Sequence, residues 1–368
     1  MYPPQTDQLF INARIRESLD TGFLNLRYCY VQELPYIHPN VVTIDIQGHS
    51  LHHLPTLPAG LISLNCSHGV LDDLPALPAT LQVLKCATNN LVDLPTLPPY
   101  LTTIDCSDNM LVELPTLPRT INSLLCNLNR LRWLPTLPTA LVCLDVSRNM
   151  LEDIELPPNL TEVYCKVNSL LALPPLPPRL RTLNCSRNAI TALPPLPDTL
   201  DELICENNGL TELPDLPPSI RVVVCPFNYI TSIPKLPEGM TLLNIESNLV
   251  QKMYNIPSSL AVLECRGNQL VDVPKGFTGK VISLMHNPLH PLLEKHIKHF
   301  NNEYEGLSAY HAELDTLKGM VKNVLYTKHT LGRVELLPVD IVNEIATMFS
   351  GKVGTLDNQV KHIKQKVL

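Results

Sequence analysis

Aromatic residues are scarce in this 368-residue chain: they make up 5% of it, with one tryptophan and six phenylalanines. Beside 45% apolar residues, so few rings suit a thin aliphatic core. The 11 cysteines are odd in number and form no CxxC pair, so their spacing signals neither a zinc site nor a disulfide framework. No run approaches the ~20 apolar residues of a membrane span. Residues 1–25 are interrupted by Asp7, Arg14, Arg16, Glu17 and Asp20, which leaves no secretory apolar core. A basic excess is also missing. The net charge is −7, with 18 basic against 26 acidic residues in 1–288 and 10 against 9 in 289–368. Nucleic-acid binding would need a basic stripe, so no such partner is expected. There is no phosphate loop, no HExxH and no serine or cysteine nucleophile with an identifiable base. The expectation is a protein without enzymatic activity and without cofactors.

Proline, in contrast, is abundant. The stretch "LPTLPPYLTTIDCSDNMLVELPTLP", residues 94–118, holds five, although proline removes a backbone donor and breaks helices and central strands. Self-similarity explains them. Asparagine recurs at Asn89, Asn109, Asn129, Asn149, Asn168, Asn188, Asn208, Asn228, Asn248, Asn268 and Asn287, in steps of 20 with two steps of 19. Three residues before each stands Cys86, Cys106, Cys126, Val146, Cys165, Cys185, Cys205, Cys225, Ile245, Cys265 or Leu284. The unit reads LxxLxCxxNxLxxLPxLPxx. This period and pattern are the leucine-rich-repeat signature, one short strand per unit lining a horseshoe. Degenerate units in phase (Ile44, Ile46, His49; Leu64, Cys66, Gly69; Leu24, Leu26, Cys29) bring the total to about 14.

The spacing predicts an α+β solenoid. Its parallel strands form the concave face, and each LPxLP segment returns along the convex side in an extended, polyproline-type path that needs no internal hydrogen bonds. Nine cysteines share one inward slot with Val146, Ile245 and Leu284, which marks them as small buried hydrophobes; many free thiols imply a reducing compartment. A capping helix is expected over 1–20, with Leu9, Phe10, Ala13, Ile15 and Leu19 on its apolar face and Gly22 as its stop. Repeats span 21–288. Residues 289–368 lose the prolines and take on helical spacing, which predicts a small all-α domain. His290, Glu294, His296 and His299 cluster near its start without a metal-binding frame, and read as a solvated helix face; no metal site is expected.

The LPxLPxxLxxLxCxxN pattern over residues 21–288 resembles the leucine-rich-repeat effectors injected into host cells by Gram-negative pathogens. It is similar to the Yersinia outer protein M type, to the repeat half of the Shigella and Salmonella novel ubiquitin ligases, and to Legionella repeat effectors. The resemblance implies delivery by a type III or type IV system, action in the host cytosol and host-protein binding on the solenoid. The ligase arm of that family carries a catalytic Cys-x-Asp in a helical domain after the repeats, whereas the last cysteine here is Cys265. Cys106-Ser107-Asp108 and Cys143-Leu144-Asp145 match the tripeptide only within repeat strands.

A partner site is expected on the concave face. Its first half is polar and partly acidic (Asp45, Asn65, Lys85, Asp105, Asp108, Asp145). The later half becomes apolar at Tyr164, Val167, Ile204, Val222, Val224, Phe227 and Leu242, flanked by Arg148, Lys166, Arg187, Arg221, Glu202 and Glu206. Two readings stay open: an interface core with a charged rim, or the ordinary preference of β-branched residues for strands. In the tail, "LPVDIVNEIATMF" places Leu337, Pro338, Asp340, Ile341, Ile345 and Phe349 as the opening of an F-box does. It reads either as a helix offered to a Skp1-type adaptor or as a proline-started core helix, and only 19 residues follow it.

Overall fold

The computed structural model describes residues 8–29, 31–34, 36–271, 277, 279, 281–289, 312 and 316. One helix opens the chain, α1 (Gln8–Thr21). Fourteen three-residue strands follow: β1 (Phe23–Asn25), β2 (Thr43–Asp45), β3 (Ser63–Asn65), β4 (Val83–Lys85), β5 (Thr103–Asp105), β6 (Ser123–Leu125) and β7 (Cys143–Asp145). The series continues with β8 (Glu162–Tyr164), β9 (Thr182–Asn184), β10 (Glu202–Ile204), β11 (Val222–Val224), β12 (Leu242–Asn244), β13 (Val262–Glu264) and β14 (Val281–Ser283). They form one parallel sheet in strictly sequential order, as a stacked solenoid requires.

Each unit buries the same set of side chains. In the unit of β5, Leu101, Ile104, Cys106 and Leu111 are wholly buried, and the two leucines of the LPxLP segment, Leu114 and Leu117, nearly so. The nine slot cysteines (Cys66, Cys86, Cys106, Cys126, Cys165, Cys185, Cys205, Cys225, Cys265) are all free and buried. Burial pushes the Cys66 and Cys185 thiols up to about 12. Cys29 belongs to a different column, the one asparagine fills in later units.

Backbone satisfaction explains that column. Asn109 accepts a hydrogen bond from Leu91 N at 3.1 Å with Oδ1, and its Nδ2 faces the Cys86 and Cys106 carbonyls at 3.0 and 3.1 Å. The pattern repeats through Asn287. One side chain thus closes groups of two successive turns that would otherwise be buried unpaired. On the convex side a second, unforeseen ladder exists: Thr80, Thr120, Thr199, Ser219 and Ser259 donate to Leu61, Leu101, Leu180, Leu200 and Met240 O at 2.6–2.7 Å. These hydroxyls tie the proline-rich returns together where no backbone ladder runs.

Helix α1 lies against β1. Ile11 is the apolar residue it buries among those described, beside the buried Ser18, with Phe10 and Ile15 half-covered, while Leu19, expected on the apolar face, is exposed. Gly22 ends the helix with a left-handed φ of 69° and donates its N–H to Ser18 O at 2.9 Å, a glycine stop of the usual kind. Beyond Leu289 the all-α domain expected over 289–368, including the His290–His299 cluster and Leu337–Phe349, lies outside the described residues apart from 312 and 316. No helix among the described residues is long and apolar enough to cross a membrane.

Candidate protein-binding face

The middle residue of every strand points into the core and the two flanking residues stand on the concave face, as the buried centre and more open flanks of each strand show. Two rows therefore run along the solenoid, one from the first strand residues and one from the third. Pairing in β10–β12 puts Glu202 beside Val222 and Val222 beside Leu242 in the first row, and Ile204 beside Val224 in the third. These four apolar residues, Ile204, Val222, Val224 and Leu242, form one contiguous surface. Val262 and Val281 extend the first row through β13 and β14. The sequence reading passed over both; the available signal was their place one residue before the inward Leu263 and Ile282.

The other expected residues sit elsewhere. Tyr164 is in the third row of β8, separated from Ile204 by Asn184. Its hydroxyl is 3.4 Å from Glu162 Oε2, and burial, then the Glu162 charge, raises its pKa. Arg148, Val167, Arg187 and Phe227 are not on strands. Each occupies the residue just before the asparagine column, where the backbone is left-handed in all units from Tyr28 to His286; Val167 has φ 57° and Phe227 φ 56°. Only Gly48 and Gly267 supply glycine at this position, so the turn carries no sequence mark. Phe227 stands out from it, 55% exposed. Lys166 sits one residue before that turn and is exposed. Two of the four expected cations are held in pairs, Arg187 with Glu206 at 3.2 Å and Arg221 with Asp201 at 3.4 Å, on an exposed surface where such pairs are worth ~0–1 kcal/mol.

Polar residues of the third row have a structural task. Asp45, Asn65, Asp105, Asp145, Asn184 and Asn244 each accept, at 3.0–3.2 Å, the backbone N–H two residues on. This Asx turn leads the strand into the left-handed residue. The acidic first half of the concave face is thus partly turn chemistry. Where the third-row residue is Ile204 or Val224, that acceptor is gone. In the unit of Val224 the donor is gone too, because the residue two positions on is Pro226. The chain removes both partners together, which avoids leaving a polar group unmatched.

Cys143, in the first row of β7, is the one half-buried thiol among the 11. Burial, then the charges of Glu162 and Asp145, pushes it up to about 11. A thiol held protonated by neighbouring carboxylates is a poor nucleophile, so the Cys143-Leu144-Asp145 match has none of the activation a catalytic cysteine needs. Burial raises Cys106 further still. Among the described residues no group of histidine, cysteine and carboxylate side chains could hold a metal.

No protein-family model matches the chain, and no curated protein does. Solved structures do. YopM, a leucine-rich effector of Yersinia pestis, is 30% identical with TM-score 0.68, covering 78% of this chain and 90% of its own. YopM from Yersinia enterocolitica WA-314 is 28% identical with TM-score 0.53, covering 78% and 79%. The functional domain of InlJ from Listeria monocytogenes, which includes a cysteine ladder, is 20% identical with TM-score 0.56, covering 68% and 64%, and shares the fold alone.

Proposed function

Because the chain belongs to the bacterial leucine-rich-repeat effector-like family that includes YopM, we propose that it is a non-catalytic secreted effector that holds a host protein on its concave face. Delivery by a type III or type IV system into the reducing host cytosol suits its 11 free cysteines. The observation that carries the reading is the joined surface of Ile204, Val222, Val224 and Leu242. Solvent-facing apolar residues in contiguous strands mark an interaction site, and two of them, Ile204 and Val224, stand where other units keep a turn acceptor.

The test is Val224→Glu with Phe227→Glu in the full chain. Neither side chain belongs to the buried core, so circular dichroism and melting should stay near wild type while capture of the host partner is lost. Unfolding of the double variant, or undiminished capture, would remove the concave face from the argument. A second reading, an adaptor to a Skp1–cullin ligase, rests on the sequence of Leu337–Phe349. It requires the full chain to bind purified Skp1, and Leu337→Ala with Pro338→Ala to abolish that binding.

A further inference from the structure

The first concave row changes character along its length. It reads Glu162, Thr182, Glu202 and then Val222, Leu242, Val262 and Val281 in register across β8–β14. Neighbouring strands lie ~4.8 Å apart, so the four apolar residues make a ledge roughly 14 Å long, bordered in the third row by Val224 and then by Asn244, Glu264 and Ser283. At its acidic end Glu202 and Glu162 pair with no cation among the described residues, although Arg187 and Arg221 nearby are each taken by another carboxylate.

We propose that the ledge seats one amphipathic α-helix of the partner, laid along the solenoid axis with an apolar stripe over Val222–Val281 and a Lys- or Arg-bearing turn over Glu202. The inference rests on the concave-face reading and names the form of partner that face takes. Spacing favours a helix. Its turns repeat every ~5.4 Å, which drifts by less than ~2 Å from the ledge across three strand steps. Same-face side chains of an extended segment repeat every ~6.6–6.8 Å and slip by nearly one whole same-face step over the same distance. A single apolar row bordered by the polar third-row residues Asn244, Glu264 and Ser283 also matches the one apolar stripe, at i, i+3 or i+4 and i+7, of an amphipathic helix. The carboxylates without a cation at one end set the direction of charge that the partner must supply.

The full chain can be used as bait for two displayed libraries, one of single-helix scaffolds and one of extended peptides. Enrichment is expected in the helical library, with apolar residues at i, i+3 or i+4 and i+7 and cations in one terminal turn. Leu242→Glu should weaken the selected helices about tenfold or more, as removal of a central anchor does. On Glu202→Lys, an exposed-row change that leaves the core untouched, the terminal turn should switch to Asp or Glu. Selection of extended peptides that still respond to Leu242→Glu would overturn the helix and leave the concave site standing. Ligands indifferent to both variants would overturn both.

Discussion

His49 and Gly69 occupy the asparagine column in the second and third units, and together they do what one asparagine does elsewhere. The imidazole accepts from Leu51 N through Nδ1 at 3.0 Å and faces Cys66 O through Nε2 at 3.0 Å. An asparagine at position 69 would make those same two bonds, by analogy with Asn89, which accepts from Leu71 N and donates to Cys86 O. The ring fills the space, and a Cβ at Gly69 would fall inside it. His49→Ala should therefore cost about 1–3 kcal/mol for the groups left unmade, and Gly69→Asn alone should also destabilise, by overlap. The double variant should recover most of the loss, because the new side-chain amide restores the ladder. Additive losses in urea melts would refute the exchange. The pair also sets a pH dependence. Burial holds His49 below its ordinary value of 6.5, against the pull of the Cys66 carbonyl. The unfolded chain then takes the proton first, so this contribution is complete above about pH 6.5 and is lost as pH falls below it. In the double variant that acid-side slope should be absent.

The strand–turn element has two versions, one polar and one apolar. Asp105 with Ser107 represents the first, with a 3.2 Å bond from Ser107 N to Asp105 Oδ1; Val224 with Pro226 represents the second. Val224→Asp alone gains no hydrogen bond, since Pro226 has no N–H, and Pro226→Ser alone leaves a donor without its acceptor. Val224→Asp with Pro226→Ser should rebuild the Asx turn and fold with near-wild-type stability. A double-mutant cycle should show favourable coupling, in the range of 0.5–3 kcal/mol roughly expected for contacting residues. Zero coupling would mean that the turn does not depend on this bond. The doubly changed protein should also bind its partner weakly, which separates the element's folding role from its recognition role.

Over the full solenoid, each unit touches only its neighbours, so stability is a sum of local and nearest-neighbour terms. The cysteines report on this along its length. Cys143 should be the first of the described thiols to react with a disulfide reagent in native buffer, and slowly at neutral pH because its thiolate is scarce at a pKa of about 11. The nine slot thiols should react only after local opening, and the innermost, Cys126 and Cys165, last under mild denaturant. Native labelling of Cys126 or Cys165 as fast as Cys143 would contradict the packing. The helix α1 closes one end of this array through Ile11, so its removal should loosen β1 and β2 before any central strand.

Repeat length, strand positions, the inward cysteine column and the proline-rich return follow from the linear chain alone, because each is dictated by a residue type that recurs in register. Asn109 and Cys106 can be read that way from spacing. Stacking of the turns settled what depends on neighbours 20 residues away. The left-handed turn at Val167 and Phe227 accepts almost any residue, so no composition marks it. The Asx role of Asp105, the convex hydroxyl ties of Thr120 and the exchange of His49 for an asparagine one unit later are bonds between positions, and periodicity does not reveal them. The candidate site divides in the same way. Its apolar residues were visible one by one, but parallel pairing joined Ile204, Val222, Val224 and Leu242, added Val262 and Val281, and set Tyr164 and Val167 apart, since adjacency in a solenoid is fixed by how entire turns stack.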